Sequence, residues 1–209
     1  MARRRSAPIR PPAFDVLAIG ASWGGVDMLM RLVRELPADW SLPVIIVQHQ
    51  HPNSGNALER ILSKTTSLPV RDVEDKDRIE SPGVFLAPAN YHLLVEDDGS
   101  FSLSIEAPVK FCRPAIDVTF ASVARVFQRR AISLVLTGAN DDGADGTRMI
   151  RAAGGHTLAQ TPESAEAPAM PSAAIATGAV DKVLEPGEIV PYLRHLLANG
   201  IRDAEHSPR

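Results

Sequence analysis

The chain has 209 residues, of which 44% are hydrophobic and 22% charged, a composition that fits a globular domain and excludes a chain disordered throughout. The formal net charge is −3, and four of the 22 basic residues but none of the 25 acidic residues lie in residues 1–13, so the remainder (18 basic, 25 acidic) is too acidic for non-specific nucleic-acid binding. No apolar run approaches the roughly 20 residues that cross a bilayer, and the single cysteine excludes an internal disulfide and agrees with a reducing compartment, so we expect a cytoplasmic protein without membrane insertion.

The chain begins with residues 1–13, which are rich in Arg and Pro and lack periodicity. We interpret them as a disordered basic tail or linker stub. A single domain is expected over residues 14–199, and residues 200–209 are expected to form a frayed C-terminus.

Within that domain the patterns alternate between strand and helix. Residues 14–20 form an apolar run that ends in glycine, which predicts a buried strand. Residues 24–36 repeat apolar side chains every three or four positions, which predicts an amphipathic helix that Pro37 ends. The patterns then predict strands at 42–48, 68–73, 84–87, 91–96, 100–105, 131–137 and 156–160, and helices at 57–62, 116–129, 146–153, 172–177 and 188–199.

This alternation predicts an α/β fold with a single doubly wound, mostly parallel sheet and helices on both faces. The Asp98-Gly99 pair is a tight-turn signal between two short strands. We therefore expect one antiparallel hairpin attached to the sheet.

Polar side chains follow three of the apolar strands. Ser22 follows the first strand, His49 follows the second, and the acidic loop with Asp141, Asp142 and Asp145 follows a later one. Parallel strands that end on one edge of a sheet bring their loops together. A serine hydroxyl needs an imidazole to take its proton, and the imidazole needs a carboxylate to orient it. The pattern therefore predicts a serine nucleophile with a histidine base and one of the aspartates.

Other interpretations of these residues stay open at this stage. The sequence Gly20-x-Ser22-x-Gly24 fits a nucleophile elbow, but it also fits a glycine turn in which Ser22 caps a helix. It fits neither common phosphate-binding fingerprint. His51 competes with His49, although the H-x-H pair has no third ligand of matching character nearby, so we expect no metal. The aspartates alone also fit a solvated loop or a divalent-cation site.

Five segments then point to a known family. They are I-G-A-S-W-G-G at 19–25, V-Q-H at 47–49, R-P-A-I-D-V at 113–118, L-T-G-A-N-D-D-G-A-D-G at 136–146, and M-P-S-A-A-I-A-T-G-A-V-D at 170–181. In this order they resemble the catalytic domain of the chemotaxis protein-glutamate methylesterases, the CheB family. The resemblance implies that Ser22 is the nucleophile, His49 the base and Asp142 the orienting acid.

The same resemblance implies further site residues. Backbone N–H groups near Trp23 and Gly24, with the region of Ala139, would build an oxyanion hole, and Arg113 and Met170 would contact substrate. No cofactor or metal is implied. The chain departs from the family pattern in two places, because Trp23 stands where threonine is usual and Ala139-Asn140 stands where Met-Gly is usual.

The implied function is hydrolysis of glutamate γ-methyl esters on the cytoplasmic helices of chemoreceptors, with deamidation of selected glutamines as a related activity. The family usually carries an N-terminal receiver domain, whereas only 13 residues precede the first predicted strand here. We therefore expect the catalytic domain alone, with a separate receiver-domain protein as a candidate regulator.

Two alternatives remain. The Trp23 departure favours a catalytically weak or inactive module that binds a receptor or another partner. A serine esterase for small molecules, of the α/β-hydrolase type, would instead need a later histidine from among His156, His195 and His206.

Overall fold

Seven parallel strands form the central sheet of the computed structural model, which describes residues 14–80 and 82–199. The predicted tail at 1–13 and the predicted frayed end at 200–209 lie outside the described residues. In chain order the strands are β1 Val16–Ala21, β2 Pro43–Gln48, β3 Val70–Asp72, β4 Gly83–Leu86, β5 His92–Val95, β6 Phe101–Ser104, β7 Ala131–Val135, β8 His156–Gln160 and β9 Lys182–Leu184. The helices are α1 Gly25–Glu35, α2 Ala57–Leu62, α3 Ile116–Phe127, α4 Ala144–Ala152, α5 Ala169–Ala176 and α6 Pro186–Asn199.

The order of the strands across the sheet is β3-β4-β2-β1-β7-β8-β9, and every pair in it is parallel. The chain builds one half of the sheet by placing β2, β4 and β3 beside β1, then crosses back and builds the other half from β7. The order therefore reverses between β1 and β7, and the crevice at such a switch point is where doubly wound sheets place their sites. The predicted doubly wound sheet is confirmed.

Two apolar layers cover the faces of this sheet. Alternate residues of β1 point to opposite faces, so Leu17 and Ile19 join one buried cluster and Val16 and Ala18 join the other. Helices α1 and α6 contribute to the first cluster, and α3, α4 and α5 contribute to the second. All six residues of β1 are buried, which explains why a continuous apolar run encodes this strand.

The antiparallel hairpin forms from β5 and β6 as predicted, but it makes a separate two-stranded sheet. It is attached to α3 through side chains of that helix. The Thr119 hydroxyl donates a hydrogen bond to the Leu93 carbonyl at 2.7 Å, and the Val95 N–H donates to the Ser122 hydroxyl at 3.0 Å. The hairpin thus places the loop that follows it beside the start of α3.

Two further differences from the predicted elements have simple causes. Strand β9 has only three residues, two of them exposed, so it offers no apolar run for a sequence pattern to detect. Helix α5 begins at Ala169, three residues earlier than predicted, because Pro171 is accommodated within its first turn. Within residues 14–80 and 82–199, no helix combines the length and the apolar character that a membrane crossing needs.

Candidate active site

Backbone hydrogen bonds connect the end of β1 directly to the loops after β2 and β7. The N–H of Ser22 donates to the Thr137 carbonyl at 2.9 Å, and the N–H of His49 donates to the Ala21 carbonyl at 3.0 Å. These bonds continue the pairing of the parallel strands for one residue past their ends. They set Ser22, His49 and the loop after β7 on the same edge of the sheet.

Gln48 connects the same two loops through its side chain. Its amide nitrogen donates to the Ser22 carbonyl at 2.8 Å and to the His49 carbonyl at 3.0 Å, and the residue is 4% exposed. A buried amide with two such bonds resists displacement, because breaking either bond leaves a polar group without a partner. Gln48 therefore fixes the separation between the Ser22 and His49 backbones.

Ser22, His49 and Asp142 form one continuous hydrogen-bonded chain. The His49 Nδ1 lies 3.1 Å from the Ser22 hydroxyl oxygen, and its Nε2 lies 2.8 Å from Asp142 Oδ2. The two side chains of the His49–Asp142 pair are 11% and 0% exposed. A carboxylate can only accept, so Nε2 carries a proton, and in the neutral form of the imidazole the lone pair of Nδ1 faces the hydroxyl. This is the arrangement in which an imidazole removes a proton from serine.

Asp142 is held by the first turn of α3. Its Oδ2 accepts the Ile116 N–H at 2.7 Å, and its Oδ1 accepts the Asp117 N–H at 2.9 Å. In return, Asp117 Oδ1 accepts the N–H groups of Gly143 and Gly146 at 2.9 and 2.7 Å, at the start of α4. Asp142 thus caps the start of α3, in which Asp117 lies, and Asp117 caps the start of α4, which Asp142 precedes. The helix dipole favours a negative charge at both positions.

Lys110 closes this region on its outer side. Its ammonium lies 2.8 Å from Asp117 Oδ2, 3.4 Å from Asp141 Oδ2 and 3.2 Å from Asp145 Oδ2. Burial lowers the pKa of Lys110, but the ion pairs with Asp117 and Asp145 outweigh burial and raise it, so the lysine stays charged. Asp141 and Asp145 therefore belong to a surface ion-pair group, while Asp142 alone reaches His49.

The pKa values of the pair follow from these contacts. Burial of Asp142 would raise its pKa, but hydrogen bonds from His49, Asp117 and Ile116 outweigh burial and hold the pKa below its usual value. Burial of His49 would lower its pKa, but Asp142 and the sulfur of Cys112 outweigh burial and raise the pKa to about 9. The site thus holds a stable carboxylate and a strongly basic imidazole.

The turn after Ser22 has its own support from a distant loop. The Trp23 indole is 67% exposed, and its Nε1 donates to Glu166 Oε1 at 2.8 Å. Gly24 has a φ of 73°, and a Cβ at this position would lie 2.7 Å from the Glu166 Cβ. Only glycine fits there, both for its backbone and for the space. No acceptor within residues 14–80 and 82–199 bonds the N–H of Trp23 or of Gly24.

Gly138 explains where the predicted Ala139 and Met170 lie. A Cβ on Gly138 would lie 1.9 Å from the Met170 sulfur and 2.9 Å from the Ser22 Cβ, so the strand end fits closely between them. Met170 is 0% exposed and lies beneath Gly138, and a contact between Met170 and substrate stays a prediction. Ala139 is exposed at the rim and stays a predicted pocket residue.

Arg113 is half-buried, and its guanidinium bonds the chain itself. It donates to Asn90 Oδ1 at 2.6 Å and to the carbonyls of Ile105 and Glu106 at 2.9 and 3.0 Å. It also lines a cavity of about 250 Å³ that begins at His49 and Cys112. These bonds hold the loop after the hairpin, and a contact between Arg113 and substrate stays a prediction.

No pattern in the sequence predicts Cys112 as a member of this site. Its sulfur lies 3.4 Å from His49 Nδ1 and 3.4 Å from the Asn140 amide nitrogen. His49, Cys112 and Asp142 each offer one ligand-type atom within 4.8 Å of the others. Cys112, 63 residues further along the chain, joins His49 and Asp142 in this group. His51 is not one of its members, since it is exposed and its Nδ1 accepts the Asn53 N–H.

Four residues of this site carried no role in the sequence interpretation: Gln48, Lys110, Asp117 and Glu166. Two of them stand inside segments that carried the family resemblance, Gln48 in V-Q-H and Asp117 in R-P-A-I-D-V. A polar residue at the end of an apolar strand, directly before a candidate base, was a usable signal. Lys110 and Glu166 stand in polar loops with no such signal.

Comparison with known proteins identifies relatives for most of the chain. The family model described as CheB methylesterase matches residues 17–193. A protein of Leptospira interrogans named "Putative protein-glutamate methylesterase/protein-glutamine glutaminase" is 38% identical over 188 residues, which cover 90% of this chain and 97% of that protein. A protein of Anaeromyxobacter dehalogenans named "Protein-glutamate methylesterase/protein-glutamine glutaminase 2" is 39% identical, with 93% of this chain matched to 57% of that protein.

The fold matches a solved structure as well. The crystal structure of the Thermotoga maritima CheB methylesterase catalytic domain superposes with a TM-score of 0.84 at 30% sequence identity. The match covers 88% of this chain and 98% of that domain.

Proposed function

This chain belongs to the CheB methylesterase family, and we propose that it is a protein-glutamate methylesterase with Ser22 as nucleophile, His49 as base and Asp142 as the orienting acid. The single observation that carries the proposal is the unbroken chain from the Ser22 hydroxyl through the imidazole to a fully buried carboxylate, with distances of 3.1 and 2.8 Å. The proposed class is therefore a serine carboxylic-ester hydrolase.

The proposed reaction begins with attack by the Ser22 hydroxyl on the γ-carbonyl carbon of a glutamate methyl ester. His49 Nδ1 takes the hydroxyl proton, and Asp142 stabilises the resulting imidazolium through Nε2–H. The proton then passes to the departing methoxide, which leaves as methanol. Water attacks the acyl-enzyme with the same assistance from His49 and releases the glutamate.

The oxyanion of each tetrahedral intermediate needs donors that the fold has left unpaired. The N–H groups of Trp23 and Gly24, just before α1, meet this condition among the described residues. A tryptophan supplies the same backbone N–H as a threonine, so the departure at Trp23 leaves this part of the mechanism intact. A glutamine side chain would follow the same tetrahedral route and release ammonia, which supports a second activity as a glutaminase.

The proposed substrates are the methylated cytoplasmic helices of chemoreceptors, and the proposed location is the cytoplasm. The names of the two relatives support the reaction on glutamate and glutamine side chains. A separate receiver-domain protein is the proposed regulatory partner. The half-buried serine and the exposed Trp23 beside it leave the nucleophile open to a protein substrate.

The test is methanol release from methylated receptor cytoplasmic fragments by the wild-type protein and by Ser22→Ala. We expect release by the wild type and a loss of at least about 10³-fold in the variant. Hydrolysis of an activated small ester alone, again only by the wild type, would leave the serine mechanism standing and overturn the substrate. Fragment binding without hydrolysis of any ester would favour the inactive binding module.

A further inference from the structure

A thiol stands beside the proposed nucleophile and has no task in the proposed reaction. The His49 Nδ1 lies 3.1 Å from the Ser22 hydroxyl oxygen and 3.4 Å from the Cys112 sulfur. The imidazole, the thiol and the Asp142 carboxylate each bring a ligand-type atom within 4.8 Å of the other two. Imidazole and thiolate together form a donor set that suits zinc and related soft divalent ions.

The distances in the site match those of zinc coordination. With Zn–N of about 2.05 Å, Zn–S of about 2.3 Å and tetrahedral angles, two such ligand atoms lie about 3.6 Å apart. His49 Nδ1 and Cys112 Sγ are separated by 3.4 Å. An oxygen ligand at about 2.0 Å would lie about 3.3 Å from the nitrogen, and the Ser22 hydroxyl oxygen is 3.1 Å from it. An ion bound to both His49 Nδ1 and Cys112 Sγ therefore needs these two atoms to move apart by only about 0.2 Å, and water completes its shell.

Asp142 prepares the imidazole for this role. It accepts the Nε2 proton at 2.8 Å, which leaves the lone pair on Nδ1 facing the sulfur and the hydroxyl. A carboxylate that holds the far nitrogen of a histidine ligand is the usual support of zinc-binding histidines. No movement of Asp142 is required, since it acts behind the ring.

The surroundings also admit a cation. The cavity of about 250 Å³ that His49 and Cys112 line opens a path from the surface. The nearby positive charge of Lys110 is balanced by Asp117, Asp141 and Asp145. Arg113 also lines this cavity, so the site depends on its imidazole and thiolate ligands, and not on the local charge, to hold a divalent ion.

We propose that His49 Nδ1 and Cys112 Sγ bind a zinc-class divalent cation, and that the bound ion switches off the serine at the same site. Binding displaces the thiol proton to solvent, forms one metal–sulfur and one metal–nitrogen bond, and involves no oxidation. The inhibition rests on the proposed function, because the ion occupies the lone pair that would take the Ser22 proton. The binding itself does not.

Binding is tested first, on the whole chain and without any substrate. Isothermal titration with zinc chloride should show one ion per chain for the wild type, and Cys112→Ser should weaken the affinity by at least about tenfold. His51→Ala is the matched control, because it removes the other histidine of H-x-H at an exposed position, and it should bind like the wild type. Magnesium chloride should give no binding, since its ligands are oxygens.

A spectroscopic measurement on the wild type keeps the proposal independent of how the variants fold. Cobalt(II) in the site should give a thiolate-to-cobalt charge-transfer absorption that Ser22→Ala retains. Lack of this absorption in the wild type, equal zinc affinity in Cys112→Ser, or loss of binding in His51→Ala would each overturn the site. If the wild type shows no esterase activity and Ser22→Ala still binds zinc, the metal site is upheld while the proposed function fails.

Inhibition is tested last, by ester hydrolysis with and without zinc. The wild type should lose activity in zinc and recover it with a chelator, whereas Cys112→Ser should need at least about tenfold more zinc for the same loss. Full wild-type activity at zinc concentrations that saturate the cobalt-detected site would overturn the switch.

Discussion

The two nitrogens of the His49 imidazole face regions of opposite construction. Beyond Nε2 lies Asp142, fully buried and held by three hydrogen bonds from His49 and the start of α3. Beyond Nδ1 lie Ser22 and Cys112, both partly exposed, with the open indole of Trp23 next to the serine. The hydrogen bonds of the first region hold the charge of the Asp142 carboxylate in a single position. The second region leaves hydrogen-bond donors and open space for a reacting group.

This difference separates two parts of the proposed catalytic site by the number of contacts that hold each of them. Two helix N-termini and a pair of aspartates determine the acid region, so its geometry is specified many times over. The nucleophile region depends on one buried amide, Gln48, and on a side-chain contact between Trp23 and Glu166. We expect changes in the first region to be costly and changes in the second to be graded.

The largest effect is expected from Asp142→Asn. Asparagine keeps the size of the side chain but loses the charge, and it can hold the imidazole in the wrong tautomer. We expect kcat for ester hydrolysis to fall by about 10⁴-fold with a small change in KM. The matched control is Asp141→Asn, whose side chain is 66% exposed and contacts Lys110, and equal losses in the two variants would contradict the assignment.

The next effect is on stability and comes from Asp117→Ala. This change leaves the N–H groups of Gly143 and Gly146 without their acceptor and leaves Lys110 without its shortest ion pair. We expect a loss of about 1–3 kcal/mol in the free energy of unfolding, measured by urea denaturation. Asp145→Asn at a half-exposed side chain should change it by less than about 0.5 kcal/mol. If the free energy of unfolding changes by less than about 0.5 kcal/mol in both Asp117→Ala and Asp145→Asn, the structural contrast between the two regions is contradicted.

The third prediction concerns pH. The pKa of His49 is raised to about 9 because Asp142 and the Cys112 sulfur outweigh burial, and only the neutral imidazole acts as a base. The value of kcat/KM should therefore rise as pH increases and level off above about 9. Cys112→Ser removes one of the two groups that raise the pKa of His49, so its profile should lie at lower pH than that of the wild type. The profiles are measured in a chelator, and coincident profiles would show that the sulfur does not act on the base.

The smallest effect is expected from Glu166→Ala. It removes the acceptor of the Trp23 indole N–H and frees an exposed ring. We expect the change in kcat/KM to correspond to less than about 1 kcal/mol of transition-state free energy. This change should come mainly from KM for a protein substrate. Glu166→Gln keeps an acceptor oxygen and should stay near the wild type. A large fall in kcat for both variants would mean that the nucleophile turn depends on the charge of Glu166.

The sequence predicted the sheet well because its strands are buried on both faces. Strands β1 and β2 appear as apolar runs and β7 as a run broken only by Ser133, and the polar residues that follow these runs mark the edge where the site forms. The short β9 and the separation of the hairpin from the main sheet depend on tertiary contacts, which no local pattern encodes. Ser22, His49 and the acidic loop each follow an apolar strand, so the pattern predicted that they lie together, and the family resemblance selected Asp142. Cys112, a lone cysteine in a loop, carried no such signal.

The interlocked aspartates show the limit more sharply. Asp117 and Asp142 each cap a helix from 25 to 29 positions away, so neither has the short spacing by which a cap is recognised in a sequence. Their roles appear only once α3 and α4 lie side by side. The fold brings such polar groups together, and their hydrogen bonds then set the geometry of the site.

The most direct test of the account is to label the protein with a fluorophosphonate and locate the adduct by peptide mass spectrometry. Such a reagent reacts with a serine whose proton a neighbouring base removes. We expect one phosphonyl group per chain, on Ser22, in the wild type and in Cys112→Ser, and strongly slowed labelling in Asp142→Asn. Labelling of Cys112 or of another serine, or unchanged labelling in Asp142→Asn, would contradict the central claim that Asp142 and His49 activate Ser22.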